Sequence, residues 1–186
     1  MTTWALLAPG PSASAADAER VRDAGIPLGA VGNAFELAPW ATFIAATDAA
    51  WWRRYPAARS TGAEVFTILP MTGVERVPIT PVNSGVLALE CAKRKGATRI
   101  LLLGFDMRGT HFFGDYRNGL RNTKPHQRAQ HLKQYAAWGK ANRGIEVLNC
   151  TAGSALACFP ARGLDACLAE LAAPGIGAQG STGERV

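Results

Sequence analysis

The sequence has few charged residues and no long apolar run. Asp, Glu, Lys and Arg together make up 18% of its 186 residues. No stretch approaches the roughly 18 consecutive apolar residues that a membrane-spanning helix needs, so we expect no transmembrane segment. No basic stretch precedes the short apolar run at the N-terminus, which predicts a cytoplasmic protein without a secretory signal. Apolar residues reach 48%, an ordinary share for a globular chain.

Cysteine is also scarce, and its spacing excludes the common metal-binding motifs. The chain has four cysteines, and no two of them form a CxxC pair. Their mostly apolar surroundings predict free, buried thiols in a reducing compartment. No acid-rich cluster stands out either. We therefore assign no metal-binding residues, while a divalent metal ion that accompanies a nucleotide stays open.

The net charge of +6 is distributed unevenly along the chain. Residues 93–143 contain twelve of the 20 Lys and Arg residues and only two acidic ones, so this segment carries +10 and the rest of the chain −4. All three histidines lie in the same segment. This concentration predicts an anionic partner, which could be a nucleotide, a phosphorylated small molecule or nucleic acid. A solvated basic surface is the alternative.

Apolar runs alternate with helical patterns, which predicts an α/β fold. Six segments have strand character: 4–8, 26–31, 41–47, 64–69, 99–106 and 146–150. Five segments have helical character: 13–24, 49–55, 84–95, 125–142 and 163–172. We predict a single doubly wound, mostly parallel Rossmann-like sheet of five to six strands. Residues 1–173 form this domain, and residues 174–186, rich in Gly, Ser and Thr, are expected to form a flexible tail.

The segment 99–106 is the clearest strand, because its apolar residues run without alternation, as in a central strand covered on both faces. The helix at 125–142 is expected to use Ala129, Leu132 and Ala136 as part of its buried face. In doubly wound sheets, ligands bind beyond the carboxyl ends of the strands, near the point where the strand order reverses. Polar residues that directly follow strands are therefore the first candidates for a site.

The first candidates follow the first strand. Gly10 and Ser12 lie in a short turn that leads into a helix, and such a turn can present backbone N–H groups to a phosphate. Two prolines in the same turn remove two of these donors. An ordinary strand-to-helix turn is the alternative.

Two further candidates combine a strand end with a helix start. Asp48 follows the third strand, where a carboxylate can bind a ribose hydroxyl or a metal ion, and helix capping is its alternative role. Asn83, Ser84 and Gly85 begin the helix 84–95, where small polar residues can bind a phosphate at the helix N-terminus. Capping of that helix is again the alternative.

The loop after the central strand is the strongest candidate. Asp106 stands at the end of that strand. His111 and Asp115, four residues apart, could form a general acid–base pair or half of a metal site. Arg117 and Arg121 follow closely and suit the neutralisation of a phosphate. We therefore assign His111 and Asp115 as catalytic residues, and Asp106, Arg117 and Arg121 as ligand-binding residues.

Taken in order, these short motifs resemble the DUF115/sialyltransferase-like Rossmann group, especially its small phage-encoded members, and the archaeal hydroxymethylpterin pyrophosphokinases carry a related core. The resemblance covers roughly residues 4–160, and Ala8 stands where the group has its first glycine. It implies a protein of the host cytoplasm if phage-encoded, with His111 as the candidate acid or base. The nucleotide site that the resemblance implies is lined by Gly10, Ser12, Asn33, Asp48, Ser84 and Asp106.

From these features we predict a nucleotide-binding, transferase-like protein that transfers a glycosyl group from a nucleotide-linked donor. One alternative is a binding protein that sequesters a nucleotide or signal molecule without turnover. Pyrophosphokinase-like transfer and nucleic-acid binding are further alternatives, although the chain has no recognised DNA-binding motif. The expected partner is a small nucleotide or nucleotide-sugar, no membrane is expected to take part, and a homodimer stays open.

Overall fold

In the computed structural model, which describes residues 1–173, the chain forms one seven-stranded sheet with five α-helices. The predicted tail, 174–186, lies outside the described residues. The strands are β1 (Thr3–Leu7), β2 (Leu28–Val31), β3 (Phe43–Ala45), β4 (Glu64–Thr67), β5 (Glu75–Arg76), β6 (Arg99–Leu103) and β7 (Glu146–Asn149). The helices are α1 (Ala15–Asp23), α2 (Ala49–Arg54), α3 (Ser84–Arg94), α4 (Pro125–Ala141) and α5 (Leu164–Ala172). Within residues 1–173, no helix combines the length and apolar character needed to cross a bilayer.

The sheet therefore confirms the α/β class and has one strand more than predicted. The additional strand is β5, which pairs with β4 at the edge of the sheet. Its two residues, Glu75 and Arg76, are charged and exposed, so they have no apolar pattern that would indicate a strand. The central strand β6 ends at Leu103, earlier than predicted, because Gly104 adopts a φ of 69° and turns the chain.

The strand order is β5-β4-β3-β2-β1-β6-β7, and every neighbouring pair is parallel. From β1 the chain winds outward to β5, then returns through α3 to β6 on the other side of β1. The order thus reverses between β1 and β6. In a doubly wound sheet a ligand crevice forms at this point, outside the carboxyl ends of the strands.

The sheet is covered on both faces. Along β6, Ile100 and Leu102 pack into one layer, whereas Leu101 and Leu103 pack into the other. The first layer contains the buried residues of α3 and of α4, and the second contains those of α1, α2 and α5. All five residues of β6 are buried, which is the pattern expected of a central parallel strand.

Candidate functional site

A cleft with two lobes opens above the carboxyl ends of β1, β2, β3 and β6. The inner lobe lies over the point of strand reversal, has a volume of about 190 Å³, and is lined by Gly10, Gly104, Asp106, Asp115, Arg128 and Tyr135 among others. The outer lobe lies toward α2, has a volume of about 500 Å³, and is lined by Thr47, Asp48, Trp51, Arg121, Gln130 and Gln134 among others. The wall common to both lobes contains Asn83, Ser84, His111, Asn122, Thr123 and His131.

Asp106 braces the turn that follows β1. Its Oδ2 accepts hydrogen bonds from the Ser12 backbone N–H at 3.3 Å and from the Ser12 hydroxyl at 2.8 Å. The Gly10 N–H donates to the Gly104 carbonyl at 3.0 Å. A Cβ at position 10 would collide with Asp106 Oδ2 and with the Gly104 carbonyl oxygen, so the close approach requires glycine.

This arrangement changes the interpretation of the turn. Within residues 9–12, the two N–H groups of Gly10 and Ser12 are already paired, and the two prolines have none. The turn therefore has no backbone donor left for the phosphate predicted to bind there. Gly10 still lines the inner lobe, whereas Ser12 lines neither lobe and serves Asp106 instead.

Two nearly buried residues that line the inner lobe each have a side-chain polar atom without a hydrogen-bond partner among residues 1–173. Asp106 and Tyr135 are each only 3% exposed. Among residues 1–173, Asp106 Oδ1 has no hydrogen-bond donor and the Tyr135 hydroxyl has no partner, yet neither atom is sealed from solvent. Burial raises the pKa of Tyr135 above its usual value, so the phenol keeps its proton. The lobe thus contains a carboxylate acceptor and a protonated hydroxyl.

The predicted phosphate site at the start of α3 is largely occupied by its own cap. Asn83 Oδ1 accepts from the N–H groups of Gly85 and Val86 at 3.0 and 3.1 Å. The Asn83 backbone N–H and its Nδ2 both donate to Gln134 Oε1 on α4, at 3.0 and 2.9 Å. Asn83 therefore caps α3 and fastens α4 to it, which is the alternative role named above.

Ser84 and Gly85 have different positions relative to the cleft. The Ser84 hydroxyl accepts from the backbone N–H of Thr47 at 3.0 Å and so ties α3 to the end of β3. The Ser84 N–H has no partner among residues 1–173 and is the one amide of the first turn of α3 left for a ligand. Gly85 lines neither lobe; a Cβ there would collide with the Tyr135 hydroxyl, so its glycine makes room for Tyr135.

His111 lies on the wall between the lobes and has one ring nitrogen in use. Its Nδ1 lies 3.2 Å from the Gly114 carbonyl oxygen. Because a carbonyl only accepts, Nδ1 carries the proton and Nε2 carries the lone pair in the neutral ring. The ring stacks on Phe113 and touches Tyr116, with centroid distances of 4.8 Å in each case. Burial lowers the pKa of His111 below its usual value, which favours the neutral, basic form at neutral pH.

Asp115 lines the inner lobe but does not form the hydrogen-bonded pair with His111 that the spacing suggested. The Nδ1 partner of His111 is the Gly114 carbonyl instead, because residues 111 and 114 close a tight turn with two backbone hydrogen bonds. Asp115 is exposed and acts on His111 only through its charge, which raises the pKa of His111 by less than burial lowers it. The two residues share a cleft without forming a dyad.

Several cleft residues on α4 were missed by the sequence interpretation. His131 lines both lobes, and burial lowers its pKa. Arg128 lines the inner lobe, and its guanidinium donates to the Gly109 carbonyl. The signal that could have revealed them is their spacing, because residues 128, 131 and 135 share one face of a helix. Ala129 and Ala136, which were expected to be buried, are exposed on that helix.

Asn33, implied as a ligand residue by the resemblance, lines neither lobe and is 2% exposed. Its Oδ1 accepts from Trp51 Nε1 at 2.7 Å and from the Tyr116 hydroxyl at 2.8 Å. Its Nδ2 donates to Glu36 at 2.7 Å. All of its polar atoms are thus engaged, and Asn33 anchors the loop 107–124 to the body of the domain.

The remaining predicted residues lie at the rim or outside. Asp48 caps α2, accepting from the Ala50 N–H at 2.7 Å, and is exposed at the edge of the outer lobe. Arg121 is exposed and lines the same lobe. Arg117 is exposed and lines neither lobe.

The cysteines and carboxylates form no metal site in the described part of the chain. Within residues 1–173, no three His, Cys, Asp or Glu side chains are grouped closely enough to hold a metal ion. All four cysteines are free: Cys91 and Cys167 are buried, Cys150 is half-buried, and Cys158 is exposed, contrary to the expectation of burial. The sulfur atoms of Cys150 and Cys167 lie 3.8 Å apart.

The structure brings one group of the predicted residues to the cleft and leaves another outside it. Those that line a lobe are Gly10, Asp48, Asn83, Ser84, Asp106, His111, Asp115 and Arg121. Those that line neither lobe are Ser12, Asn33, Gly85 and Arg117. No protein-family model matches the sequence, and comparison with curated proteins and with solved structures gives no significant match.

Proposed function

We propose that the cleft binds a nucleotide or nucleotide-linked donor and transfers a group from it, with a glycosyl group as the leading candidate. One observation carries the proposal. Two histidines with lowered pKa values, His111 and His131, line the wall common to both lobes, above the point where the strand order reverses. Side chains with perturbed pKa values in a cleft at such a position are typical of a catalytic site.

Among residues 1–173, Nε2 of His111 has no hydrogen-bond partner, which supports its role as the general base. In the proposed step, Nε2 takes the proton of an acceptor hydroxyl while that oxygen forms a bond to the donor carbon. The bond between that carbon and the phosphate oxygen breaks, and the phosphate leaves with the electron pair. The lowered pKa keeps His111 unprotonated at neutral pH, as this role requires.

The outer lobe is the proposed place for the nucleotide. Its volume of about 500 Å³ falls within the range of about 300–1,000 Å³ that is usual for small-molecule sites. Trp51 lines this lobe, the Gln130 amide provides a donor and an acceptor for a base, and the Gln134 amide provides its Nε2 donor, since its Oε1 already accepts from Asn83. Arg121 at the rim would neutralise phosphate charge as it develops on the leaving group.

A binding protein without turnover is the second candidate function, and the separation of His111 from Asp115 favours it. A catalytic histidine is usually oriented by a hydrogen-bonded partner, and here that partner is a neutral carbonyl, that of Gly114, rather than a carboxylate. Both candidates use the same cleft, so binding alone does not distinguish them.

Calorimetry with CMP, CDP, ATP and nucleotide-sugars tests the binding proposal. At least one should bind to the wild-type chain, and absence of binding by all of them would refute it. Consumption of the bound nucleotide-sugar, followed by NMR, then separates transfer from sequestration. His111→Gln should lower turnover about 100-fold or more while changing Kd little. His126→Gln, which replaces a histidine that lines neither lobe, is the matched control.

A further inference from the structure

We propose that the inner lobe binds a hydroxyl-rich group, such as a sugar ring or another polyol, through the Tyr135 hydroxyl and Asp106 Oδ1. This inference rests on the proposed function, since it assigns one part of the ligand to one part of the cleft. It differs from the sequence prediction, in which Asp106 was part of a nucleotide site and Tyr135 had no role.

The first observation is the environment of Tyr135. Its ring packs edge-on against Phe105, with centroids 6.0 Å apart, and its hydroxyl lies over the backbone of Gly85. A buried hydroxyl is expected to have a hydrogen-bond partner, because leaving it unpaired is costly. Among residues 1–173 the Tyr135 hydroxyl has none, it is not sealed from solvent, and Tyr135 lines the inner lobe. A ligand group in that lobe would supply the missing partner.

The second observation is that the two oxygens of the Asp106 carboxylate have different surroundings. Asp106 Oδ2 is occupied by Ser12, whereas Oδ1 has no donor among the described residues and is not sealed from solvent, and Asp106 lines the inner lobe. A carboxylate accepts a hydrogen bond from a hydroxyl and repels a phosphate. A sugar hydroxyl can donate to Asp106 and accept from Tyr135, which a phosphate oxygen cannot do.

The size of the lobe supports the same assignment. Its volume of about 190 Å³ is below the range of about 300–1,000 Å³ usual for whole drug-sized ligands, so it suits one ring rather than a nucleotide. Of the basic residues that line it, Arg128 donates to the Gly109 carbonyl, and Arg108 lies exposed against Gly153. Neither guanidinium is buried beside Asp106, so neither offsets the repulsion between the Asp106 carboxylate and a bound anion.

The matched comparison is between a bare nucleotide and the nucleotide-sugar that contains it. Wild-type protein should bind the nucleotide-sugar more tightly. Tyr135→Phe removes one hydroxyl and keeps the ring against Phe105, so it should weaken binding of the nucleotide-sugar about 3- to 10-fold. Binding of the bare nucleotide should change less than about twofold. Tyr55→Phe, at a tyrosine that lines neither lobe, is the control.

Two outcomes would overturn the inference without touching the proposed function: equal affinity of the wild type for the two ligands, or equal weakening of both by Tyr135→Phe. If no nucleotide binds, the proposed function fails, and free glucose, N-acetylglucosamine and ribose then test the lobe directly. In NMR titrations these sugars should shift the amide signals of Gly85 and Gly104, whereas inorganic phosphate and pyrophosphate should not. The opposite pattern, or no shift with any sugar, would refute the inference even if Tyr135→Phe did not fold.

Discussion

Ser12 donates two hydrogen bonds to a single oxygen of Asp106, one from its backbone N–H and one from its hydroxyl, across 94 positions of the chain. The pair joins the turn after β1 to the segment after β6. Because the strand order reverses between these two strands, the contact holds the two halves of the sheet together at the edge where the cleft opens.

Ser12→Ala removes the hydroxyl bond and leaves the backbone bond in place. Hydrogen bonds to charged groups contribute about 1.5–3 kcal/mol, and the exposure of Ser12 places the expected loss near the lower end, at about 1–2 kcal/mol. Urea unfolding measures the change in the free energy of unfolding. Ser60→Ala, at an exposed serine, is the control and should change that free energy by less than about 0.5 kcal/mol. An equal effect of the two variants would contradict the bracing role of Asp106.

Gly10→Ala should destabilise the domain more severely. The added Cβ meets Asp106 Oδ2 and the backbone oxygen of Gly104, and backbone cannot move aside as easily as a flexible side chain. We expect a loss of at least about 2 kcal/mol in the free energy of unfolding. Gly144→Ala is the matched control, because a Cβ there meets nothing within 4 Å and should leave stability unchanged or slightly higher. A tolerated Gly10→Ala would show that the close approach is not required.

Acid should destabilise the fold through its two half-buried histidines, His111 and His131. Burial lowers the pKa values of His111 and His131 below the usual 6.5, so the unfolded chain binds more protons than the folded one as pH falls. Their contribution to stability is therefore complete above pH 6.5 and is lost as pH falls through the folded-state values. Urea unfolding between pH 5 and 8 should show this slope, and His131→Gln should reduce it. An unchanged slope in His131→Gln would exclude that residue as a contributor.

Asn33→Ala should loosen the loop 107–124. The substitution leaves the Trp51 Nε1–H and the Tyr116 hydroxyl without their common acceptor, at an expected cost of about 2–3 kcal/mol. Tyr116→Phe removes only one of these bonds and should cost about 1 kcal/mol. Amide hydrogen exchange measures the local effect, and residues 107–124 should exchange faster in both variants. If Asn33 bound ligand directly, Asn33→Ala would instead reduce affinity while the loop kept its protection.

The strands whose residues are uniformly buried could be predicted from the sequence, whereas the exposed edge strand could not. β6 was recognised because residues 100–103 form an unbroken apolar run, but its end was placed too late, since Phe105 prolongs the apolar pattern beyond the turn at Gly104. β5 could not be recognised because two charged edge residues form it through backbone pairing alone.

The site was predictable at the level of the sheet edge, because the carboxyl ends of parallel strands meet there. Which way a side chain faces is decided by packing, and this placed Asn33 inside the domain and Arg117 outside the cleft. Tyr135 was missed because α4 buries large aromatic residues rather than the alanines on which the helical pattern was based. Its role depends on Gly85, a contact that no local sequence pattern contains.

The different roles of the two Asp106 oxygens restrict how the sequence could change in evolution. One oxygen holds the β1 turn and the other is the proposed ligand acceptor, so a substitution at position 106 would alter architecture and recognition together. The Tyr135 hydroxyl, in contrast, has a proposed role in ligand binding and no second role in holding the fold. Descendants with a new ligand preference should therefore retain aspartate at 106 and vary at 135, and a smaller residue at 135 would remove the clash between a Cβ at position 85 and the tyrosine hydroxyl, leaving Phe105 as the remaining close neighbour.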